Sequence, residues 1–316
     1  MSTPLTAPAA SDPPEHQADW LELLALSKDD KNSSLEDLVR ELRRSGSTEA
    51  VGEPESIEEI TDEGSERSQA IAEDAFAELH DRSVACGGHP VGYPFDVFER
   101  YIQGKSGSQK SIYTFLLLLS QFGKDAGPPG LDAADLFERV SAVAALEYFG
   151  GSASGARAYP FGFPRRLTPR GFKDALDDLC REMGEGGGCR EWPTRHDQKD
   201  GHLDLAVWRP FPDRRGGKLI GFGQCATGKD WFSGGKLHEL QPATFCASWM
   251  HVRPLVEPVR LFFIPFRAEL AKWNLVGYAG GIVFDRCRIS ELARDIDAEV
   301  LKSCEAWCEH VLGALT

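Results

Sequence analysis

The residues with the clearest chemical potential lie between His202 and Trp231, which read HLDLAVW, RPFPDRRGGK and LIGFGQCATGKDW. Asp204 stands between Leu203 and Leu205, and a carboxylate in an apolar strand is costly to desolvate unless something compensates it, a cation being one candidate. A second apolar run ends in Gln224, Cys225 and Ala226, followed by Thr227, Gly228 and Lys229. A carboxylate on one strand facing polar groups on its partner is a metal-site layout; a turn carboxylate bonded to nearby amides is the structural alternative. Glu138 lies within LDAADLFERVSAVAALEYFGG, beside Ala134, Ser141, Ala142 and Ala145 at helical spacings. Such small neighbours let a strand or ligand approach the carboxylate. An exposed helix acid paired to a base is the alternative there. Arg209, Arg214, Arg215, Lys218 and Lys236 could hold phosphates, with Trp208 and Trp231 available for stacking. Singly, each is also an ordinary surface charge or core aromatic.

Other chemistries fit less well. Gly223-x4-Gly228-Lys229 is one residue short of a phosphate-binding loop, because Asp230 stands where a hydroxyl would bind Mg²⁺. That reading needs a helix directly after Lys229. Ile282 to Asp285 is a weak match to the strand such enzymes use, and to any core strand. His196 and His202 lack zinc-spaced partners and read as loop imidazoles. Cys225 has no base identifiable in sequence and reads as a small buried residue.

These residues need elements to position them. Leu203 to Trp208 and Leu219 to Gln224 flank a Pro/Arg/Gly loop and predict a β-hairpin. Asp132 can cap a helix running to about Phe149, after the breaker Gly127-Pro128-Pro129-Gly130. Further helices are expected over Thr168–Met183, Gln241–Met250 and Ser290 to about Leu312, with strands at Val259–Phe266 and Gly280–Asp285. Upstream, residues 1–14 read as disordered, Trp20–Leu26 and Leu35–Leu42 as short helices, and Ser45–Ser65 as an acidic linker. From Ser68 the pattern turns helical, Phe95, Phe98 and Ile102 included, and Ile112–Phe122 has the length and apolarity of a buried helix. The segments are therefore 1–66, 67–126 and 127–316, an acidic N-terminal segment, a helical region and an α/β domain.

The net charge of −14 comes wholly from residues 1–85, with 21 acids against 7 bases, whereas residues 86–316 hold 28 of each. Between Arg157 and Lys236 there are 15 bases against 11 acids, a modest local excess around the hairpin. The acidic part is the place for a protein partner. Eight cysteines without a CxxC pair, and no leader-like start, predict reduced thiols and a soluble cytoplasmic protein. The longest apolar runs are too short to span a bilayer.

A helix with a Glu, a strand with an Asp, and a partner strand ending in Gln and then a Lys, followed by a helix and a strand, resembles the PD-(D/E)xK restriction-endonuclease-like nuclease superfamily over about residues 131–285. No narrower subfamily is identified. The resemblance implies a restriction-endonuclease-like α/β core with a helical N-terminal extension. It makes Asp204 a metal ligand, puts Gln224 where the second acid sits and matches Glu138 to the acid of the preceding helix. The Cys225 carbonyl would complete the oxygens around Mg²⁺ or Mn²⁺. Two departures stand out: Gln224 is neutral, and the Lys expected two residues later is Ala226, leaving Lys229 as the nearest candidate. Gln241, opening the next helix, is a further polar residue of the kind some members place near the metal. The implied activity is metal-dependent hydrolysis of phosphodiester bonds in DNA, RNA being second choice, in a bacterial restriction or phage-defence setting. The alternative is an inactive subunit that binds nucleic acid or protein. Self-association is compatible with either.

Overall fold

The computed structural model describes residues 5–49, 57–87, 92–162, 171–191 and 201–315. In chain order the helices and strands are α1 (Pro14–Ser27), β1 (Asn32–Ser34), α2 (Leu35–Glu49), α3 (Ile57–Ala85), β2 (Phe95–Val97), β3 (Tyr101–Gly104), α4 (Ile112–Phe122) and α5 (Ala133–Tyr148). They continue with β4 (Arg157–Pro160), α6 (Phe172–Met183), β5 (Leu205–Arg209), β6 (Leu219–Cys225), α7 (Lys236–Glu239), α8 (Pro242–Trp249), β7 (Val259–Phe263), α9 (Trp273–Gly280), β8 (Ile282–Phe284), α10 (Arg286–Leu292) and α11 (Ala298–Gly313). The chain is thus a mixed α/β protein.

Strands β4 to β8 form one sheet in sequential order. β4, β5 and β6 run antiparallel, and β7 and β8 join β6 in parallel. Period-two alternation sorts the side chains of β5: Leu205 and Val207 face the core shared with α5, α10 and α11, while Ala206 and Trp208 face α6 and α8. Burying each of these larger apolar side chains contributes about 1.5–3 kcal/mol. On β6 the α5-facing positions are Gly221 and Gly223, and a Cβ at either would crowd Phe149, Leu205 or Phe263. The two glycines let β6 pack tightly under α5.

Helix boundaries follow local chemistry. Asp132 caps α5 by accepting from the amides of Ala134 and Asp135, as expected. Ser111 caps α4 through the Thr114 amide, and Gly184 ends α6 in a left-handed conformation. Pro14 opens α1, where its missing N–H costs nothing. Among the described residues no helix is long and apolar enough to cross a membrane.

Four expectations are corrected. Residues 5–13 are packed, Gln17 donating to the Ala9 and Asp12 carbonyls. The acidic stretch is largely helical, belonging to the end of α2 and the start of α3; residues 50–56 lie outside the described ones. Phe95 and Ile102 lie on the antiparallel pair β2–β3, completed by β1, because a three-residue turn between short runs favours a hairpin over a helix. The single C-terminal helix is two, α10 and α11, separated by a turn that Asp297 ends by capping Glu299 and Val300.

One apolar cluster runs from Ala18 to Leu312 and draws on all three sequence segments. A buried ionic network crosses it. Arg82 of α3 donates to Asp19 (2.7 Å) and Glu22 (2.9 Å) of α1, and Arg286 of α10 grips both Asp19 oxygens at 2.6 and 3.0 Å. Tyr93 and Tyr113 donate to the other Glu22 oxygen. Arg267 bridges Glu78 of α3 and Asp285, the cap of α10, at 2.9 Å each. Four helices are thereby tied to the carboxyl end of the sheet.

Candidate functional site

The predicted hairpin exists: Leu205 pairs with Gly223 and Arg209 with Leu219. Asp204 immediately precedes β5, half-buried. Its carbonyl accepts the amides of Phe161 (2.7 Å) and Gly162 (2.8 Å), so the chain leaving β4 is clamped to it. Its Oδ2 accepts the Cys225 amide at 2.6 Å, a charge-assisted bond that aims the carboxylate at the end of β6. Glu138 of α5 reaches the same place: its carboxylate lies against Gly162, where any Cβ would collide with it. The partly buried Cys225 thiol registers the arrangement. Burial pushes its pKa well above the ordinary thiol value, the Asp204 and Glu138 charges add to this, and the Ser141 hydroxyl works against it. The structure therefore brings Asp204, Glu138 and Cys225 together.

Gln224 points to the other face. Its Oε1 accepts the Leu240 amide (3.3 Å) and Arg260 (3.4 Å), and its Nε2 donates to Glu239 Oε2 at 2.9 Å. The oxygen expected to ligate a metal is thus turned toward protein donors, because strand alternation separates positions 224 and 225. Glu239 Oε2 also meets Lys236 Nζ at 3.0 Å and His202 Nδ1 at 3.2 Å. His202 holds a left-handed backbone (φ 66°), unusual for a residue with a side chain. Sequence reading missed Glu239 altogether; His202 is the exposed loop imidazole expected, with Glu239 as its partner. The only local signal was Lys236 and Glu239 at i, i+3; the rest needs the chain to return from residue 226 to residue 236. His196 lies outside the described residues.

Ala226, at the expected Lys position, is buried in an apolar cluster with Leu237, Phe262 and Val276. Lys229 lines a cavity of about 690 Å³ whose walls include Leu5, Asp12, Trp20, Gln121, Trp231 and Arg267; Asp204, Glu138, Gln224 and Cys225 are not among the lining residues. Residues 228–235 form turns, so no helix follows Lys229 directly and the phosphate-loop reading loses its structural basis. Gln241 precedes α8 and donates to the His238 carbonyl.

Of the basic residues, Arg209, Arg214, Arg215 and Lys236 are exposed. Lys218 is a correction: it is 4% exposed, donates to the Met183 carbonyl at 2.7 Å and pairs with Glu185, so it anchors the hairpin to the end of α6. Trp208 is a core residue, 2% exposed.

Among the described residues no three His, Cys, Asp or Glu side chains form a metal cage. The Asp204 and Glu138 carboxylates are hard oxygen donors of the kind Mg²⁺ takes, since that ion keeps several waters and uses one or two carboxylates plus substrate phosphates. Compared with known proteins, the chain matches no family model, no curated protein and no solved structure.

Proposed function

We propose that this chain is a divalent-metal-dependent nuclease built on a PD-(D/E)xK-like core and hydrolysing phosphodiester bonds in DNA. The observation that carries this reading is the Asp204 carboxylate, fixed by the Cys225 amide at the open end of the β5–β6 hairpin and joined there by Glu138 from the preceding helix. The sheet supports it: β4, β5 and β6 pair antiparallel after α5, with α6 between β4 and β5, and β7 joins β6 in parallel after α7 and α8. Asp204, Glu138 and the Cys225 carbonyl would hold Mg²⁺ or Mn²⁺; when bound, the ion supplies a water that is nucleophilic near neutral pH and offsets charge on the phosphoryl oxygens. Arg209, Arg214 and Arg215, exposed on and beside the hairpin, suit contacts to the nucleic-acid backbone. The acidic N-terminal helices suit a protein partner, and a restriction or phage-defence setting follows from the resemblance alone.

A second reading, an inactive nuclease-fold subunit, draws on two observations: Ala226 is buried among apolar side chains, and Gln224 is committed to Glu239, Leu240 and Arg260. Plasmid cleavage in Mn²⁺ separates the two. The nuclease reading expects nicking that Asp204→Asn and Glu138→Gln each reduce by about 100-fold or more. Calorimetry should give Mn²⁺ binding that Asp204→Asn removes. Binding without cleavage favours the inactive subunit; neither, with folded protein, refutes the metal site.

A further inference from the structure

The cavity that Lys229 lines has a volume of about 690 Å³, within the roughly 300–1,000 Å³ that small-molecule sites occupy. We infer that it binds a mononucleotide, the base stacked on Trp231 and the phosphate on Lys229. The inference is independent of the nuclease reading, since none of Asp204, Glu138, Gln224 and Cys225 lines this cavity. Four stretches of chain meet around it: the N-terminal segment with α1, the end of α4, the loop after β6 and the segment after β7.

The loop after β6 supplies the recognition groups. The Trp231 amide donates to the Gly228 carbonyl at 3.1 Å, so residues 228–231 form a tight turn with Lys229 at its first corner. Asp230, which breaks the phosphate-loop pattern, holds its carboxylate against Gly228 and Gly234 and does not line the cavity. Phe232 braces the half-buried Trp231 edge-on at 5.6 Å, and Phe266 lies 6.3 Å from it. Lys272 sits over the Phe232 ring at 5.5 Å. Rings held by their neighbours lose little freedom when a base stacks on them.

Charge decides the class of ligand. Asp19 is matched by Arg82 and Arg286, Arg267 by Glu78 and Asp285, and Lys272 by Glu269. Asp12 is turned back to the Ala9 amide at 2.8 Å. Lys229 has no ion-pair or hydrogen-bond partner among the described residues, so it is the lining cation left for an anion. A lysine acts on phosphate as a point charge, with no need of bidentate geometry. The Asp19 carboxylate can only accept, so Gln121 gives it Nε2 (2.9 Å) and keeps its carbonyl oxygen for an N–H on the base edge. An anion, a flat ring and an edge donor together describe a nucleotide.

Calorimetry and tryptophan fluorescence on the full chain in EDTA test this, with AMP, GMP, CMP and UMP as probes and adenosine and inorganic phosphate as controls. At least one monophosphate should bind saturably below about 1 mM, and about 10-fold or more tighter than either control. Lys229→Met should weaken that binding about 10-fold or more, and Lys229→Arg should recover most of it. Trp231→Phe keeps a ring face, so it should retain most of the affinity while losing most of the fluorescence quenching, with urea midpoints confirming the fold. Asp204→Asn should bind as wild type does. The inference is overturned if no monophosphate binds, if inorganic phosphate binds as tightly as every nucleotide, or if Lys229→Met matches wild type. Binding that Asp204→Asn removes would place the nucleotide at the hairpin and overturn it as well.

Discussion

Gly162 is where a single atom decides the geometry of the candidate site. A Cβ there would collide with the Glu138 carboxylate, while the Gly162 amide is already bonded to the Asp204 carbonyl. Gly162→Ala should therefore push Glu138 aside, and because a carboxylate at the tip of a side chain moves cheaply, folding should survive. The expected outcome is Mn²⁺ affinity lowered roughly 10-fold with stability changed by less than about 1 kcal/mol. Calorimetry and urea unfolding on the same samples check it. A large stability loss with unchanged affinity would mean that Glu138 has only a packing role. The residue scale also explains Gln224 and Cys225: adjacent positions on a strand look to opposite faces, so one joins Glu239 and the other faces α5.

Among the elements, α1 and α3 matter beyond their own packing, since Asp19, Glu22 and Arg82 connect them to α10 through Arg286. Removing one member of such a buried set strands its partners without charge compensation. Arg82→Met should cost about 3–5 kcal/mol, whereas Asp132→Ala, which only uncaps α5, should cost about 1 kcal/mol. Urea midpoints of the two variants check the ranking, and a smaller loss for Arg82→Met would mean that the acids can reach water. The legibility of these elements differs by type. Helix α4 and the cap of α5 followed from apolar length and an Asp before an amphipathic run. The β2–β3 pair did not, because Phe95, Phe98 and Ile102 satisfy a helical spacing as well as a strand one.

For the whole molecule, the same network sets the response to acid. Burial by itself would raise the Asp19 carboxyl, but Arg286 and Arg82 outweigh it and hold it well below the usual carboxylate range. A carboxyl depressed in the folded state stabilises fully above its unfolded pKa, and that contribution fades as pH falls through the folded value. Glu22 has the opposite sign: burial, with the neighbouring Asp19 charge, outweighs Arg82 and raises it, so acidification first relieves its cost. Stability should hold or rise slightly as pH falls toward the ordinary Glu range and drop steeply below about pH 4, the ordinary range for Asp. Urea midpoints across pH check this, and Asp19→Asn should flatten the acid limb. A monotonic loss from pH 7 downward would show that Glu22 is not the counterweight.

The sequence by itself determined the hairpin, the helix bearing Glu138, the strands that follow and the local pairing of an apolar-flanked Asp204 with the end of β6, because those depend on periodicity and turn chemistry over short spans. Only the tertiary structure decided which polar residues meet. Glu239, His202 and Lys236 converge on Gln224 through a loop whose path has no period to read. Lys218 is buried because the hairpin docks on α6, and the acidic N-terminal region belongs to the core because Asp19 finds an arginine 267 positions away, Arg286. Such contacts depend on the packing of elements distant in sequence, and no local propensity encodes them.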